Sequence, residues 1–138
     1  MIDAQPYISL LIPLYNEVGS IPEMYAQCTA ACTAIGRPYE ILFIDDGSRD
    51  GSAQALDELV QHDPRIRVVH FRRNFGKSSA LAAGFERVRG QIVLTLDGDL
   101  QDDPAMIADF IARIEAGADL VSGWKLKRND PADKTIPS

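Results

Sequence analysis

The chain has 138 residues, of which 46% are hydrophobic and 25% are charged, and this composition is that of a single globular domain with a buried core. The formal net charge of −6 argues against nucleic acid as a partner, because binding to a phosphate backbone depends on clustered lysine and arginine. Basic residues at 72–77 and 125–128 remain compatible with a small phosphorylated ligand.

The amino-terminal residues do not have the pattern of a secretory signal. Asp3 is acidic, and no basic residue precedes the apolar stretch that ends at Pro13. No apolar run reaches the roughly 18 to 20 residues that a membrane-spanning helix needs. We therefore expect a cytoplasmic location, at the inner face of the membrane for a longer form of the protein that associates with lipid.

Short apolar runs alternate with longer amphipathic segments along the chain, and this alternation is typical of βαβ units in a mostly parallel sheet. Several of the apolar runs are continuous, as expected of strands that are covered on both faces. The predicted fold class is therefore α/β, a mostly parallel open sheet flanked by helices. In chain order we predict strand 8–12, helix 20–34, strand 39–44, helix 52–62, strand 66–71, helix 77–88, strand 91–96, helix 104–117 and strand 119–122.

Local signals define the first helix. Ser20 and Glu23 have the spacing of a capping box, and Pro22 suits the first turn, so we expect a helix to begin there. Cys28 and Cys32 lie one turn apart in this helix. We expect both to be buried apolar residues rather than metal or redox ligands, because no further thiol accompanies them.

The end of the chain has a different composition. From Lys125 onward the apolar periodicity is lost and two prolines occur. We therefore expect an α/β domain at 1–124, followed at 125–138 by an extended tail that leads to a part absent from this sequence.

Polar residues follow every predicted strand. In an open parallel sheet the carboxyl ends of the strands form one crevice in which ligands bind, so these residues are expected to converge. Any single cluster has an alternative role in turns and helix caps, but all of them together favour a ligand crevice. The clusters are Tyr15-Asn16-Glu17, Asp45-Asp46-Gly47-Ser48, Arg72-Arg73-Asn74, Asp97-Gly98-Asp99 and Lys125.

The fourth cluster has the spacing of a metal site. Asp97 and Asp99 are two residues apart, so in an extended backbone their carboxylates point to the same side, and Gly98 allows the backbone to approach a ligand closely. Gln101 offers a further carbonyl oxygen. A shell made only of oxygen atoms suits Mg²⁺ or Mn²⁺ rather than zinc.

Two common nucleotide-binding motifs are not present. Gly76-Lys77-Ser78 is not the end of a phosphate loop, because Phe71 stands where that motif requires glycine. The turn at 13–19 contains no G-x-G-x-x-G, which disfavours a dinucleotide-binding domain. Lys77 either meets an anion at the start of a helix or is solvated.

Several remaining polar residues receive structural interpretations. Asp102 and Asp103 precede a proline at a helix start, where carboxylates stabilise the helix dipole, so we assign them to capping. We expect His62 and His70 to have no partner that would make a nucleophilic or metal site. Trp124 either lines a ligand pocket or covers the sheet.

Four motifs in order give the chain a likeness to a known family. They are IPLYNE (12–17), FIDDGSRDGS (43–52), RRNFGKSSALAAGF (72–85) and LDGDLQDDP (96–104). With them the chain resembles family-2 glycosyltransferases of the Rossmann-like A-type fold, and is most similar to their polyprenyl-phosphate branch. The likeness covers nearly the whole chain.

The resemblance implies donor contacts at the ends of the first, second and fourth strands. Asp46 would accept a hydrogen bond from a base N–H, and Asp97 and Gly98 would lie beside the ribose and the diphosphate. The residues that would surround the nucleoside are Pro13, Tyr15, Glu17, Ile44 and Asp46.

The resemblance also implies metal ligands and catalytic residues. Asp97, Asp99 and Gln101 would hold Mg²⁺ or Mn²⁺, and Asp99 and Lys125 would be catalytic. Lys125 stands where the family often has arginine and would meet the charged part of the donor, without the bidentate geometry of a guanidinium group.

The implied reaction transfers a sugar, with inversion, from a UDP-type or GDP-type donor to a lipid phosphate. A metal would stabilise the departing diphosphate. A phosphate acceptor is already an anion at neutral pH, so a strong protein base is less necessary than for a hydroxyl acceptor. Because the acceptor-binding half would follow residue 138, we expect this chain alone to bind donor with little turnover.

Two alternatives come from other functional classes. A receiver-type signalling domain also combines paired aspartates with a late lysine, but there the acidic pair follows the first strand, whereas Asp45 and Asp46 follow the second. The other alternative is a non-catalytic nucleotide-binding module, which would retain nucleotide affinity without hydrolysing the donor.

Overall fold

The computed structural model describes residues 5–98 and 106–117. Strands and helices alternate through this part of the chain, as predicted, while the predicted strand 119–122 and the proposed caps Asp102 and Asp103 lie outside it. The elements are β1 (Ile8–Leu14), α1 (Ile21–Ile35), β2 (Tyr39–Asp45), α2 (Ser52–His62), β3 (Ile66–His70), α3 (Lys77–Phe85), β4 (Ile92–Thr95) and α4 (Met106–Glu115).

The four described strands form one parallel sheet in the order β3-β2-β1-β4. β1 and β2 are central, and all seven residues of β1 are buried, which explains why its sequence is apolar except at Ser9. Alternate residues of β1 point to opposite faces, so Leu10 packs with α1, α2 and α4, whereas Leu11 packs with α3. The sheet is therefore covered on both faces.

Pro13 ends the pairing between β1 and β4. The Leu96 N–H donates to the Leu11 carbonyl at 3.0 Å, and the paired register of these two strands stops at Leu11 and Thr95. The backbone groups of residue 13 face β4, as those of residue 11 do, but proline has no N–H to donate to that strand. The regular pairing of β1 with β4 therefore stops before Pro13.

The start of α1 differs from the sequence prediction. The helix begins at Ile21 with Pro22 in its first turn, but the capping box is wrong. Ser20 already has a helical backbone conformation (φ −92°, ψ −16°), and its hydroxyl donates to the Glu17 carboxylate at 3.3 Å. Glu23 accepts from Gln27 instead of reaching back to residue 20.

Cys28 and Cys32 are fully buried in α1, as predicted. Burial raises the pKa of both thiols to about 12, so neither is a thiolate at neutral pH. Among the described residues, no helix is long and apolar enough to cross a membrane.

The tightest packing between α3 and the sheet is at Gly84. A Cβ at this position would lie 2.2 Å from Leu11 Cδ1, and Leu11 is fully buried. We therefore expect Gly84→Ala to lower the free energy of unfolding by about 1–3 kcal/mol through overpacking, although alanine favours a helix by about 1 kcal/mol. Urea unfolding measures this change.

Leu11→Ala supplies the control for that substitution. Leu11→Ala alone creates a cavity and destabilises the protein, but it also makes room for a Cβ at residue 84. The double variant should therefore lose less stability than the sum of the two single losses. A stabilising Gly84→Ala, or additive effects, would contradict the proposed contact.

Candidate functional site

A cavity of about 420 Å³ opens at the carboxyl edge of the sheet, beyond the last paired residues of β1 and β4. Its size falls in the range of small-molecule sites. Loops after β1, β2, β3 and β4 all contribute to it, which is the convergence expected of an open α/β sheet. The lining residues are Pro13, Leu14, Tyr15, Glu17, Asp46, Asn74, Gly76, Lys77, Asp97 and Gly98.

Six of the seven residues predicted to contact the donor line this cavity. They are Pro13, Tyr15, Glu17, Asp46, Asp97 and Gly98. The seventh, Ile44, is fully buried between the sheet and α3 and is not among the lining residues. Asp99, Gln101 and Lys125, predicted as metal-binding or catalytic, lie outside the described residues, as does Trp124.

A larger cavity of about 610 Å³ lies at the opposite edge of the sheet. Its lining includes Glu40, whose buried carboxylate accepts hydrogen bonds from Ser9, Arg67 and Arg89. Burial opposes the charge of Glu40, but these bonds outweigh it and lower the pKa of the carboxyl group. Ligands of open parallel sheets bind at the carboxyl edge, so the smaller cavity is the candidate site.

The carboxylate of Asp46 organises the loop between β3 and α3. Asp46 is only 4% exposed. Its Oδ1 accepts from the Phe75 N–H at 2.7 Å, and its Oδ2 accepts from the Gly76 N–H at 3.0 Å and from Asn74 Nδ2 at 3.2 Å. Hydrogen bonds to a charged acceptor are stronger than neutral ones, so this loop is held in one position against the end of β2.

Gly47 allows the same loop to approach closely. Its φ of +80° is in the left-handed region, and a Cβ there would lie 2.3 Å from the backbone carbon of Arg73. A side chain at position 47 would therefore push away the loop that Asp46 holds.

The loops after β1 and β2 are joined by reciprocal hydrogen bonds. Ser48 Oγ accepts from the Asn16 N–H at 2.8 Å, and Asn16 Oδ1 accepts from the Arg49 N–H at 2.8 Å. Asp50 Oδ2 accepts from the Val18 N–H at 3.1 Å. These bonds fix the wall of the cavity that carries Tyr15 and Glu17.

Asp97 and Gly98 form the wall opposite to that loop. Lys77 Nζ lies 2.6 Å from Asp97 Oδ1, in an ion pair that links the start of α3 to the end of β4. A Cβ at Gly98 would lie 2.6 Å from the Cβ of Leu14. Glycine is therefore required at position 98 for packing against β1, besides the ligand approach that the sequence suggested.

Asn74 and Lys77 were given no specific donor or metal contact by the sequence, yet both line the cavity. Asn74 belonged to the cluster predicted after the third strand, and it lies four residues beyond the end of β3 at His70. For Lys77 the sequence left an anion contact and solvation open, and it did not indicate the ion pair with Asp97.

His70 pairs with two carboxylates, which the sequence did not indicate. His70 Nδ1 lies 2.8 Å from Asp45 Oδ2, and Nε2 lies 2.8 Å from Asp57 Oδ1, so the ring joins β3, β2 and α2. Asp45 Oδ1 accepts from the Ser48 N–H at 2.9 Å, which extends this network towards the loop after β2. His62, in contrast, contacts only the Glu58 carbonyl in the part of the chain described.

The chemistry of Asp97 suits a hard cation such as Mg²⁺ or Mn²⁺, because its carboxylate supplies oxygen at the rim of the cavity. Within residues 5–98 and 106–117, no group of three or more His, Cys, Asp or Glu side chains gathers around one point. A complete metal shell would therefore need ligands outside the described residues or oxygen atoms from a bound ligand.

Comparison with known proteins gives consistent matches. A family model described as glycosyl transferase family 2 matches residues 9–138. The undecaprenyl-phosphate 4-deoxy-4-formamido-L-arabinose transferase of Shewanella sediminis is 40% identical over 133 residues, which cover 96% of this chain and 40% of that protein. The enzyme of the same name from Pseudomonas aeruginosa is 42% identical over 132 residues, which cover 95% of this chain and 39% of that protein. The chain thus spans about 40% of the length of these relatives.

Solved structures match the fold. The mannosyltransferase PcManGT from Pyrobaculum calidifontis, in complex with GDP-Man and Mn²⁺, has a TM-score of 0.60 and 24% identity, covering 71% of this chain and 29% of that one. S. aureus TarS 1-349 in complex with UDP-GlcNAc has a TM-score of 0.61 and 19% identity, and the match covers 80% of this chain and 31% of that one. At these identities the likeness concerns the fold alone, and it confirms the predicted Rossmann-like A-type fold.

The bridge made by His70 should make stability depend on pH. Burial opposes the charge of the imidazole, but hydrogen bonds to Asp57 and Asp45 and the charges of both carboxylates outweigh it and raise the pKa of His70. A raised pKa in the folded state stabilises the protein fully below the unfolded value of about 6.5. This contribution is lost as the pH rises through the folded pKa.

We therefore expect His70→Gln to lower the melting temperature most near pH 6, and the loss to shrink towards pH 9. The loss should be a few degrees, because the ring is 35% exposed and solvent screens its charge. Thermal melts of both proteins between pH 5.5 and 9 measure it. His62→Gln is the matched control and should show no such trend, whereas a pH-independent loss in His70→Gln would contradict the charged bridge.

Proposed function

The chain belongs to glycosyl transferase family 2, and from this premise we propose that its cavity binds a nucleoside-diphosphate sugar together with a divalent cation. The observation that carries the proposal is the convergence of Pro13, Asp46 and Asp97 in one cavity at the carboxyl edge. The membership also means that the receiver-domain interpretation is wrong. Asp45 and Asp46 lie at the end of the second strand, as the sequence indicated, and not after the first.

The acceptor proposed for the whole protein is a polyprenyl phosphate. The relatives from Shewanella sediminis and Pseudomonas aeruginosa are named as transferases that act on undecaprenyl phosphate. The chain covers about 40% of each, so transfer to a lipid is proposed for the whole protein and donor binding for this chain.

For the metal we propose Mg²⁺ or Mn²⁺, held by Asp97, Asp99 and Gln101. When bound, the cation would supply Lewis-acid stabilisation of the charge that develops on the departing diphosphate. The structure of PcManGT with GDP-Man and Mn²⁺ supports a divalent metal, since its fold is similar.

We propose that the transfer proceeds by one displacement at the anomeric carbon, with inversion. Asp99 and Lys125 are the proposed catalytic residues, with Lys125 meeting the charged part of the donor. The phosphate oxygen of the acceptor attacks as an anion, so no proton has to be removed from it in this step.

The bonds of Asp46 favour uracil over guanine as the donor base. An ionised carboxylate has about four acceptor positions. The Phe75 and Gly76 N–H groups and the Asn74 amide occupy three of them, so these bonds leave one position on Oδ1. Uracil offers a single N–H between two carbonyl groups, which fits one position, whereas guanine offers two adjacent N–H donors. We propose that the donor is a UDP-sugar.

Titration calorimetry with UDP in the presence and absence of Mn²⁺ tests donor binding. We expect Mn²⁺ to increase the affinity of the chain for UDP, and Asp97→Asn to lower the affinity in Mn²⁺ by about tenfold or more, because a neutral amide is a weaker metal ligand. Asp109→Asn, on the exposed face of α4, is the matched control and should bind like the unchanged chain. Equal UDP binding with and without the metal would contradict the proposed site.

The same titration with GDP tests the base preference. We expect UDP to bind about tenfold more tightly than GDP, because one guanine N–H would be left unpaired. Asn74→Ala frees a position on Asp46 Oδ2, so it should reduce the ratio of the two affinities. Equal affinities, or an unchanged ratio in Asn74→Ala, would contradict the assignment.

A further inference from the structure

Lys77 is bound to the carboxylate that the proposed function gives to the metal. It is the first residue of α3, and its Nζ lies 2.6 Å from Asp97 Oδ1. The Asp97 side chain is 16% exposed, whereas Lys77 is 53% exposed and reaches the cavity from the solvent side. The ammonium group is therefore paired with the carboxylate that the proposed metal would use.

From this ion pair we propose that Lys77 is a diphosphate-binding residue that keeps Asp97 paired until the diphosphate arrives. The inference rests on the proposed function, in which Asp97 binds the metal. A divalent cation and an ammonium group on the same carboxylate oxygen would repel each other strongly at this separation. Binding of the metal to Oδ1 therefore requires Lys77 to move.

The lysine side chain permits that movement. Four methylene groups separate its charge from the backbone, so rotation about side-chain bonds moves the ammonium without moving α3. A diphosphate in the cavity offers the ammonium group negatively charged oxygen atoms, as the carboxylate does. Lys77 can thus pass from Asp97 to the diphosphate while it stays bound to an anion.

This exchange couples the two ligands. Without nucleotide, the cation has to displace the ammonium group from Asp97, so metal alone binds weakly. With a diphosphate present, the displaced ammonium gains a new partner, and the two ligands strengthen each other's binding reciprocally. A purely structural ion pair would have no such effect, and an exposed pair of this kind contributes little stability.

Lys77→Met separates these two roles. The variant keeps a side chain of similar length but removes the charge. We expect it to bind Mn²⁺ alone about three- to tenfold more tightly than the unchanged chain, because the ammonium group no longer competes with the cation for Asp97 Oδ1. In the presence of Mn²⁺ it should bind UDP about three- to tenfold more weakly, while the affinity for uridine is unchanged.

Free Mn²⁺ measured by electron paramagnetic resonance gives the metal affinity, and calorimetry gives the affinities for UDP and uridine. Arg113→Met is the matched control, because it removes one positive charge from the exposed face of α4, at a residue that does not line the cavity. It should change neither the affinity for Mn²⁺ alone nor that for UDP. Thermal melts show whether each variant is folded.

The outcomes separate this inference from the proposed function. Tighter Mn²⁺ binding together with weaker UDP binding in Lys77→Met supports the exchange. If the unchanged chain binds UDP with Mn²⁺, but Lys77→Met binds Mn²⁺ alone no more tightly, the exchange is wrong and the proposed function stands. If the unchanged chain does not bind UDP with Mn²⁺, both are overturned.

Discussion

The buried carboxylate of Asp46 is the interaction on which the rest of the site depends. It leaves the end of a central strand and accepts two backbone N–H groups and one side-chain amide from the loop between β3 and α3. This loop determines where α3 begins, and therefore where Lys77 stands. Lys77 in turn contacts Asp97 at the end of β4. One carboxylate thus connects three of the segments that line the cavity.

The parallel sheet explains why this edge could be predicted from the sequence. The apolar strands and the helix ends are local patterns, and parallel strands bring their carboxyl ends together whatever the details of packing. This geometry of parallel strands is sufficient to bring Pro13, Tyr15 and Asp97 to one cavity. It did not depend on any contact between side chains.

Most of the parts that were not predicted depend on contacts between distant residues. Asp45 and His70 are 25 residues apart, and their pairing follows from the register of β2 with β3, which the sequence pattern does not contain. The missing capping box has the same origin, because Ser20 donates to Glu17 in a loop held by Ser52 and Asp50. Ile44 was assigned to the nucleoside by resemblance, but alternation along β2 directs it towards α3.

The charges of the cavity themselves argue for a cation. Its described lining carries three carboxylates, those of Glu17, Asp46 and Asp97, and one ammonium group, that of Lys77. A diphosphate would add further negative charge to this surface, and like charges at close range repel. The hydrogen bonds of Asp46 offset part of this repulsion, but Lys77 supplies the one positive side chain among these lining residues. The proposed nucleoside diphosphate would therefore bind here favourably only with an added positive charge, which is what the proposed divalent metal beside Asp97 would provide.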